Sequence, residues 1–224
     1  MSSTTAYTTT VGSDARGVEK ILIITELGEI EAALFTERSP RTCQHFLSYI
    51  DSGYYDNASF YRSVRYENQP ADSVKISIVE GGFSNGYYDR ILMENFVNGC
   101  DATLCPVGPK PRINVETTRE TGVCHDDGTL SLGRWDDMSV DDSFFICVGA
   151  QPELDFGGRR NPDGLGFPAF GKVTRGMAVV REIHCLPSKG QRIIGGTAIK
   201  SIRVHDNVFR AQRRDISRKS PASL

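Results

Sequence analysis

The residue of this sequence with the clearest potential for chemistry is Arg62, in the middle of the hexapeptide Ser-Phe-Tyr-Arg-Ser-Val at 59–64. Aromatic and β-branched residues follow turn-forming residues at 56–58 here, which predicts a strand. Side chains alternate between the two faces of a strand, so Arg62 lies either on a solvated sheet face or beside a cleft. Beside a cleft, its fixed guanidinium could donate hydrogen bonds to a bound substrate.

Six cysteines are a second set of residues with possible chemistry. None forms a Cys-x-x-Cys pair, although Cys100 and Cys105 are close in sequence and Cys124 precedes His125. These four groups could bind zinc, but their spacing is irregular for a zinc site. We therefore predict no metal and no cofactor, and a metal or redox role of the thiols is kept as a minor alternative.

Length, charge and composition restrict the class of protein. The chain has 224 residues, which suits one large domain or a domain with insertions. A formal net charge of -2 does not indicate a nucleic-acid partner, and no apolar run approaches the ~20 residues of a membrane span. The first ten residues lack the basic and apolar regions of a secretory signal. We predict a cytoplasmic monomer with reduced thiols that binds neither nucleic acid nor membrane.

The elements that must position Arg62 are mostly short strands separated by turn residues. Apolar patterns bounded by turn signals predict strands at 20–25, 30–35, 59–64, 74–79, 113–116, 128–134, 141–148, 169–173 and 198–204. Helical spacing predicts one helix from Ser39-Pro40 to Gly53 and another over 176–184. The number and spacing of the strands predict a mainly β protein, a closed antiparallel barrel whose open ends the two helices could cap.

The order of several short motifs resembles that of the cyclophilin family of peptidyl-prolyl cis-trans isomerases. These motifs are Phe60-Tyr61-Arg62, Glu80-Gly81-Gly82, Leu130-Ser131-Leu132, Ser143-Phe144-Phe145-Ile146, Phe170-Gly171-Lys172-Val173 and Gly176-Met177. Each is weak alone, but their joint order and spacing are specific and cover residues 18–206. The chain resembles most closely a bacterial branch with insertions, on the residues Asn68-Gln69-Pro70 and the loop from Gln151 to Gly158.

The resemblance implies both a fold and an activity. The family fold is an eight-stranded antiparallel barrel with a helix over each end. The family activity is isomerisation of X-Pro bonds in peptides and unfolded proteins, which assists protein folding. The resemblance implies catalytic roles for Arg62, Glu80 and Phe145, and substrate binding by Ile78, Gly133, Arg134, Ser143, Leu154 and Phe167.

Strand alternation adds detail to this implied site. Ile78 and Glu80 share one face of their strand, and Ser143 and Phe145 share one face of theirs. One of the two adjacent phenylalanines must then belong to the barrel core, and we assign that place to Phe144. The resemblance implies that the groove beside Arg62 is lined by Ile78, Glu80, Ser143 and Phe145.

The chemistry of isomerisation fits an arginine. Rotation about an X-Pro amide meets a barrier of about 18–20 kcal/mol, because the C–N bond has double-bond character. In the twisted state the proline nitrogen regains its lone pair and can accept a hydrogen bond that the planar amide accepts poorly. A guanidinium that donates to this nitrogen binds the transition state better than the ground state.

The chain departs from the usual family pattern at several groove positions. Here Glu80 replaces a glutamine, Ser143 a second glutamine, Gly133 an alanine, Ser77 a phenylalanine, Glu153 the indole of many members and Phe167 a histidine. An ionised carboxylate at 80 can only accept hydrogen bonds and would pair with Arg62. The alternative hypothesis is therefore a weakly active or inactive module that binds proline-containing segments.

The predicted domain organisation follows from the extent of the motifs. Residues 1–17 are small and polar, which predicts a disordered tail, and residues 18–206 form the cyclophilin-like domain. Two segments, near 65–75 and 84–111, are predicted surface insertions. Residues 207–224 form a basic C-terminal tail.

Overall fold

The computed structural model describes residues 17–83, 113–136 and 138–205. Apart from Gly17, both predicted tails and the predicted insertion at 84–111 lie outside these residues. The described strands are β1 Glu19–Thr25, β2 Glu29–Leu34, β3 Ala58–Val64, β4 Ile78–Gly82, β5 Ile113–Asn114, β6 Thr129–Arg134, β7 Ser139–Cys147, β8 Ala169–Arg175, β9 Ser188–Lys189 and β10 Arg192–Val204.

Eight of these strands close into a barrel. They pair antiparallel in the order β1-β2-β8-β6-β7-β4-β3-β10, and β10 pairs with β1 to complete the ring. The two short strands β5 and β9 pair with β7 and β10 respectively. The predicted closed, eight-stranded antiparallel barrel is confirmed.

Helix α1, Pro40–Asp51, supplies part of the barrel core. Proline at its first position and Gly53 just beyond its end, with a φ of 67°, are the predicted start and stop signals. Its Phe46 ring lies 5.4 Å from the ring of Phe144, which is fully buried as predicted. The other α-helices in the described part of the chain are the short α2, Thr118–Thr121, and α3, Met177–His184, which agrees with the second predicted helix.

Two glycines allow β4 to pass close to the core next to the candidate site. A Cβ on Gly81 would lie 2.9 Å from the ring of Phe60 and 3.1 Å from that of Phe144. Gly82 has a φ of +123°, which side chains rarely permit. The Gly-Gly pair therefore fixes the path of the backbone directly after Glu80.

The predicted strand at 74–79 is shorter in the structure, where β4 begins only at Ile78. Side-chain amides bond much of the preceding backbone, although the Ser77 C=O accepts from the Val148 N–H, just beyond β7, at 2.9 Å. Gln69 bonds both the N–H and the C=O of Ile76, at 3.2 and 2.8 Å, and Gln151 accepts from the Ser77 N–H at 2.9 Å. The alternation of apolar and polar residues predicted a strand here. The side-chain amides that bond this backbone leave no local signal in the sequence, so the exception could not be foreseen.

Strand β10 is longer than predicted, since it begins at Arg192 and not at 198. Its pairing with β3 shifts between Arg192, opposite Arg62, and Thr197, opposite Phe60. Gly195 and Gly196, with φ of 80° and 67°, lie inside this irregular stretch. The backbone C=O of Gln191 accepts from the Ser63 N–H at 2.8 Å, which holds the start of β10 beside Arg62.

Candidate active site

A cleft of about 420 Å³ lies beside strands β3, β4, β6 and β7. All nine residues predicted from the sequence line it: Arg62, Glu80, Phe145, Ile78, Gly133, Arg134, Ser143, Leu154 and Phe167. The structure adds five lining residues that the sequence did not indicate: Tyr61, Ile76, Trp135, Arg160 and Asn161. The barrel therefore brings together residues that are up to about a hundred positions apart in the chain.

One side of the cleft is a hydrogen-bonded group that we call the polar wall, formed by Tyr61, Arg62, Glu80 and Gln191. Arg62 donates from Nη1 to Glu80 Oε2 at 2.8 Å, and from Nε and Nη2 to Gln191 Oε1 at 2.9 and 2.6 Å. Of the five N–H groups of Arg62, two have no partner among the described residues. The side chain remains 37% exposed, so its position is fixed while donors remain available.

Tyr61 holds the carboxylate of the polar wall. Its hydroxyl donates to Glu80 Oε1 at 2.8 Å. Burial, and after it the negative charge of Glu80, raise the pKa of Tyr61 far above its ordinary value. The hydroxyl therefore stays protonated as a donor, and both oxygens of Glu80 are engaged, one by Tyr61 and one by Arg62.

The other side is an apolar pocket, formed by Ile78, Phe145, Leu154 and Phe167. The first three are at most 4% exposed, and the rings of Phe145 and Phe167 meet edge to face with centroids 5.7 Å apart. With Val64, Ile76 and Cys147 they form a hydrophobic cluster separate from the main core. The pocket can hold a small apolar ring beside the polar wall.

A third feature, the loop anchor, is formed by Arg134, Asp163 and Gly166. Arg134 donates from Nε to the Gly166 C=O at 2.6 Å and from Nη2 to Asp163 at 2.7 Å, and it lies over the Phe167 ring at 5.4 Å. Its side chain has no exposed surface. Arg134 lines the cleft, but its polar atoms hold the glycine-rich loop that carries Phe167.

Comparison with known proteins assigns the family. The sequence matches the family described as "Cyclophilin type peptidyl-prolyl cis-trans isomerase/CLD" over residues 20–204, which is most of the chain. The chain belongs to this cyclophilin family.

Relatives at modest identity carry the name of the family activity. Peptidyl-prolyl cis-trans isomerase-like 3 of Mus musculus is 27% identical over 192 residues, 84% of this chain and 98% of that protein. Peptidyl-prolyl cis-trans isomerase A of Dickeya dadantii is 29% identical over 164 residues, 73% and 70% of the two chains. Peptidyl-prolyl cis-trans isomerase CYP18-2 of Arabidopsis thaliana is also 29% identical, over 73% of this chain and 79% of that protein. Relatives of similar identity thus come from an animal, a bacterium and a plant.

A solved structure supports the fold. The crystal structure of a Cryptosporidium parvum cyclophilin type peptidyl-prolyl cis-trans isomerase, in the presence of the dipeptide Ala-Pro, matches with a TM-score of 0.59 and 22% identity. The match covers 84% of this chain and 99% of that chain.

Two departures of this cyclophilin from the family pattern lie next to each other in the cleft. A Cβ on Gly133 would lie only 2.4 Å from Oγ of Ser143. An alanine at 133 therefore requires the Ser143 side chain to move. Gly133 and Ser143 together shape this part of the cleft.

A buried histidine lies beneath the apolar pocket. The His125 ring stacks on Phe145 with centroids 5.9 Å apart, and its nitrogens lie 2.7 Å from Asp155 Oδ1 and 3.1 Å from Ser131 Oγ. The group resembles a hydrolase triad in composition, but Ser131 is fully buried and out of reach of a substrate. We interpret it as a support for the ring of Phe145.

Sequence reasoning missed Gln191 and His125 for different reasons. Gln191 lies in the turn between β9 and β10, and only the pairing of β10 with β3 brings it to Arg62. His125 drew notice only through its neighbour Cys124, as part of a zinc hypothesis. His125 precedes Asp126 and Asp127, and Gln191 stands between Gly190 and Arg192, so neither lies in an apolar stretch that would signal a buried polar residue.

The thiols give the zinc hypothesis little support. Cys124 is exposed, His125 is turned to Asp155 and Ser131, and Cys100 and Cys105 lie outside the described residues. Within 17–83, 113–136 and 138–205, no three His, Cys, Asp or Glu side chains are grouped so as to hold a metal ion. In the same part of the chain, no helix has the length and apolar character that crossing a membrane requires.

Proposed function

We propose that this cyclophilin is a peptidyl-prolyl cis-trans isomerase that acts on X-Pro bonds in peptides and unfolded proteins and thereby assists folding. We also propose that it works as a cytoplasmic monomer, with residues 18–206 as the isomerase domain between two tails. The observation that carries the proposal is the position of Arg62. It is fixed by Gln191 and Glu80, partly exposed, and lines the same cleft as an apolar pocket.

The geometry suggests a division of labour between the two sides of the cleft. The proline ring would fill the apolar pocket of Ile78, Phe145, Leu154 and Phe167, where it is held still. The residue before proline can then rotate about the amide bond. Arg62 would donate one of its two remaining N–H groups to the proline nitrogen as that nitrogen becomes pyramidal. Every ~1.4 kcal/mol of preferential stabilisation gives about a tenfold increase in rate.

Family membership supports this function. The relatives named above are called peptidyl-prolyl cis-trans isomerases, and the Cryptosporidium parvum structure was obtained in the presence of a dipeptide that contains proline. The positions of Arg62 and of the apolar pocket in one cleft agree with such a ligand.

A second candidate function is supported by the ion pair itself. Glu80 accepts one N–H of Arg62 and offers no donor to the substrate carbonyl. A cleft of this kind can bind proline-containing segments and catalyse their isomerisation poorly. The chain would then act mainly as a binding module.

NMR exchange spectroscopy on a short Ala-Ala-Pro-Phe peptide distinguishes the two functions. We expect a substoichiometric amount of the chain to raise the cis-trans exchange rate clearly above the slow uncatalysed rate. Chemical-shift changes of the proline resonances without faster exchange would favour the binding module. If the folded protein produced neither effect, both candidate functions would be contradicted.

A further inference from the structure

One charged residue of the cleft is not explained by isomerisation. Arg160 lies in the glycine-rich loop and lines the cleft together with Arg62. It is partly buried, and its Nη1 donates to the Val74 C=O at 2.8 Å and weakly to Gln69 Oε1 at 3.4 Å. Among the described residues, its Nε and Nη2 groups have no hydrogen-bond partner.

The three arginines that line the cleft differ in their pairing. Arg62 is paired with Glu80 at 2.8 Å, and Arg134 is paired with Asp163 at 2.7 Å. Within the described part of the chain, no carboxylate lies within ion-pair distance of Arg160. Of the three guanidinium groups that line the cleft, that of Arg160 is therefore the one without a paired carboxylate among the described residues.

The surroundings of Arg160 make its charge effective. Partial burial, and second the positive charge of Arg62, lower the pKa of Arg160, although an arginine stays protonated at neutral pH. A partly desolvated charge interacts more strongly with an opposite charge than one in bulk water does. The neighbouring Arg159 differs, because it is highly exposed and pairs with Glu153.

We propose that the cleft selects proline-containing segments that carry a negative charge next to the proline, with Arg160 as the residue that recognises this charge. This inference rests on the proposed function of the same cleft. The recognised group is an anion with oxygen acceptors, either an Asp or Glu carboxylate or a phosphorylated Ser or Thr. A guanidinium with unused N–H groups at Nε and Nη2 can bind two oxygens of such a group side by side.

The alternative explanation of Arg160 is structural. Its bonds to Val74 and Gln69 join the glycine-rich loop to the segment at 65–75. A residue that acts only in this way would stabilise the fold but would not discriminate between charged and neutral peptides. The test therefore compares peptides with one another and does not rely on the activity of one variant.

The experiment measures kcat/KM by NMR exchange for peptides that differ only at the residue directly before or directly after proline. The series has Glu, Gln, Lys, Ser and phosphoserine at that place. For the wild type at low salt we expect kcat/KM to be about fivefold higher for the Glu peptide than for the Gln peptide at one of the two positions. In about 0.5 M salt, where charges are screened, this ratio should fall to near one. Arg160→Gln should bring the ratio at low salt close to one, while the matched control Arg159→Gln should retain it.

Each outcome decides between the explanations. Equal turnover of the Glu and Gln peptides by wild type would overturn the inference. An unchanged Glu-to-Gln ratio in Arg160→Gln would also overturn it, even if this variant is less stable than wild type. Failure to isomerise any peptide would instead overturn the proposed function. A phosphoserine-to-serine ratio well above the Glu-to-Gln ratio would identify phosphorylated segments as the source of the anion, and similar ratios would identify acidic side chains.

Discussion

The polar wall and the loop anchor each contain an arginine paired with a carboxylate, but they differ in what remains accessible. The Arg134 side chain has no exposed surface, and its Nε and Nη2 groups donate to the loop that it holds. The Arg62 side chain is held at a comparable number of points, but it is 37% exposed and keeps two N–H groups without a partner among the described residues.

This difference separates a structural arginine from a candidate catalytic one. Residue type and strand position are similar, since both lie on barrel strands that border the cleft. Burial distinguishes them, because the Arg62 side chain is 37% exposed and the Arg134 side chain has no exposed surface. The comparison predicts that loss of Arg134 affects mainly stability, and that loss of groups in the polar wall affects mainly activity.

The largest effect should come from the loop anchor. Arg134→Met removes a buried guanidinium together with its hydrogen bonds to Asp163 and to the Gly166 carbonyl. We expect a loss of about 3 kcal/mol in the free energy of unfolding, measured with urea. The control Arg159→Met removes an exposed pair and should cost clearly less. Equal losses in the two variants would contradict the role of Arg134 as an anchor.

The polar wall is tested next through Gln191. Gln191→Leu removes the acceptor of two Arg62 hydrogen bonds, so the guanidinium should lose its fixed orientation. We expect kcat to fall about five- to tenfold, corresponding to ~1 kcal/mol, with KM and the melting temperature nearly unchanged. Gln191→Glu, which keeps the acceptor oxygens, should recover part of the loss. A rise in KM at constant kcat would show instead that Gln191 contributes to substrate binding.

A smaller effect, of opposite sign, is expected for Glu80→Gln. Ionised Glu80 draws one N–H of Arg62 away from the substrate, while Gln191 continues to hold the guanidinium when Glu80 is replaced. We therefore expect kcat/KM to rise by a few-fold and at most about tenfold. The measurement is NMR exchange of an Ala-Pro peptide at neutral pH. A rate equal to or below that of wild type would indicate a cleft adapted to the ion pair.

The smallest effect concerns stability against pH and a histidine away from the polar wall. Burial lowers the pKa of His184, whose Nε2 lies 3.1 Å from both the Val64 C=O and Ser77 Oγ. As the pH falls below the ordinary histidine pKa of about 6.5, the unfolded chain takes up a proton that the folded chain resists. Stability should therefore fall between about pH 7.5 and about pH 5.5.

His184→Gln provides the comparison for this pH dependence. The glutamine keeps an N–H donor for the Val64 C=O but does not titrate. Urea unfolding at the two pH values should show a shallower decrease for the variant than for wild type. The same decrease in both proteins would mean that other groups cause it.

Much of the fold was predictable because local patterns agree with it. Apolar alternation identified most strands, and Pro40 and Gly53 marked the ends of α1. The exceptions are places where long-range partners replace local ones. Gln69 and Gln151 substitute for a strand before Ile78, and the irregular pairing near Gly195 extends β10 toward Arg62.

The candidate site was predictable where the motifs of the family reach it. Arg62, Glu80 and Phe145 lie in such motifs, and the structure places all three in one cleft. Gln191 and Arg160 lie in loops whose position depends on the closure of the whole barrel. A sequence gives no local sign that one such loop bonds Arg62 and that the other lines the same cleft.

The central claim is that the exposed arginine of the polar wall stabilises the twisted amide. The most direct test compares Arg62→Ala with Arg203→Ala, which removes an arginine of similar exposure, 39%, from its ion pair with Asp56. We predict that Arg62→Ala lowers kcat/KM for an Ala-Pro peptide by at least about tenfold, while Arg203→Ala retains wild-type activity. The free energies of unfolding of the two variants should agree within about 1 kcal/mol. Wild-type activity in a folded Arg62→Ala protein would contradict the account.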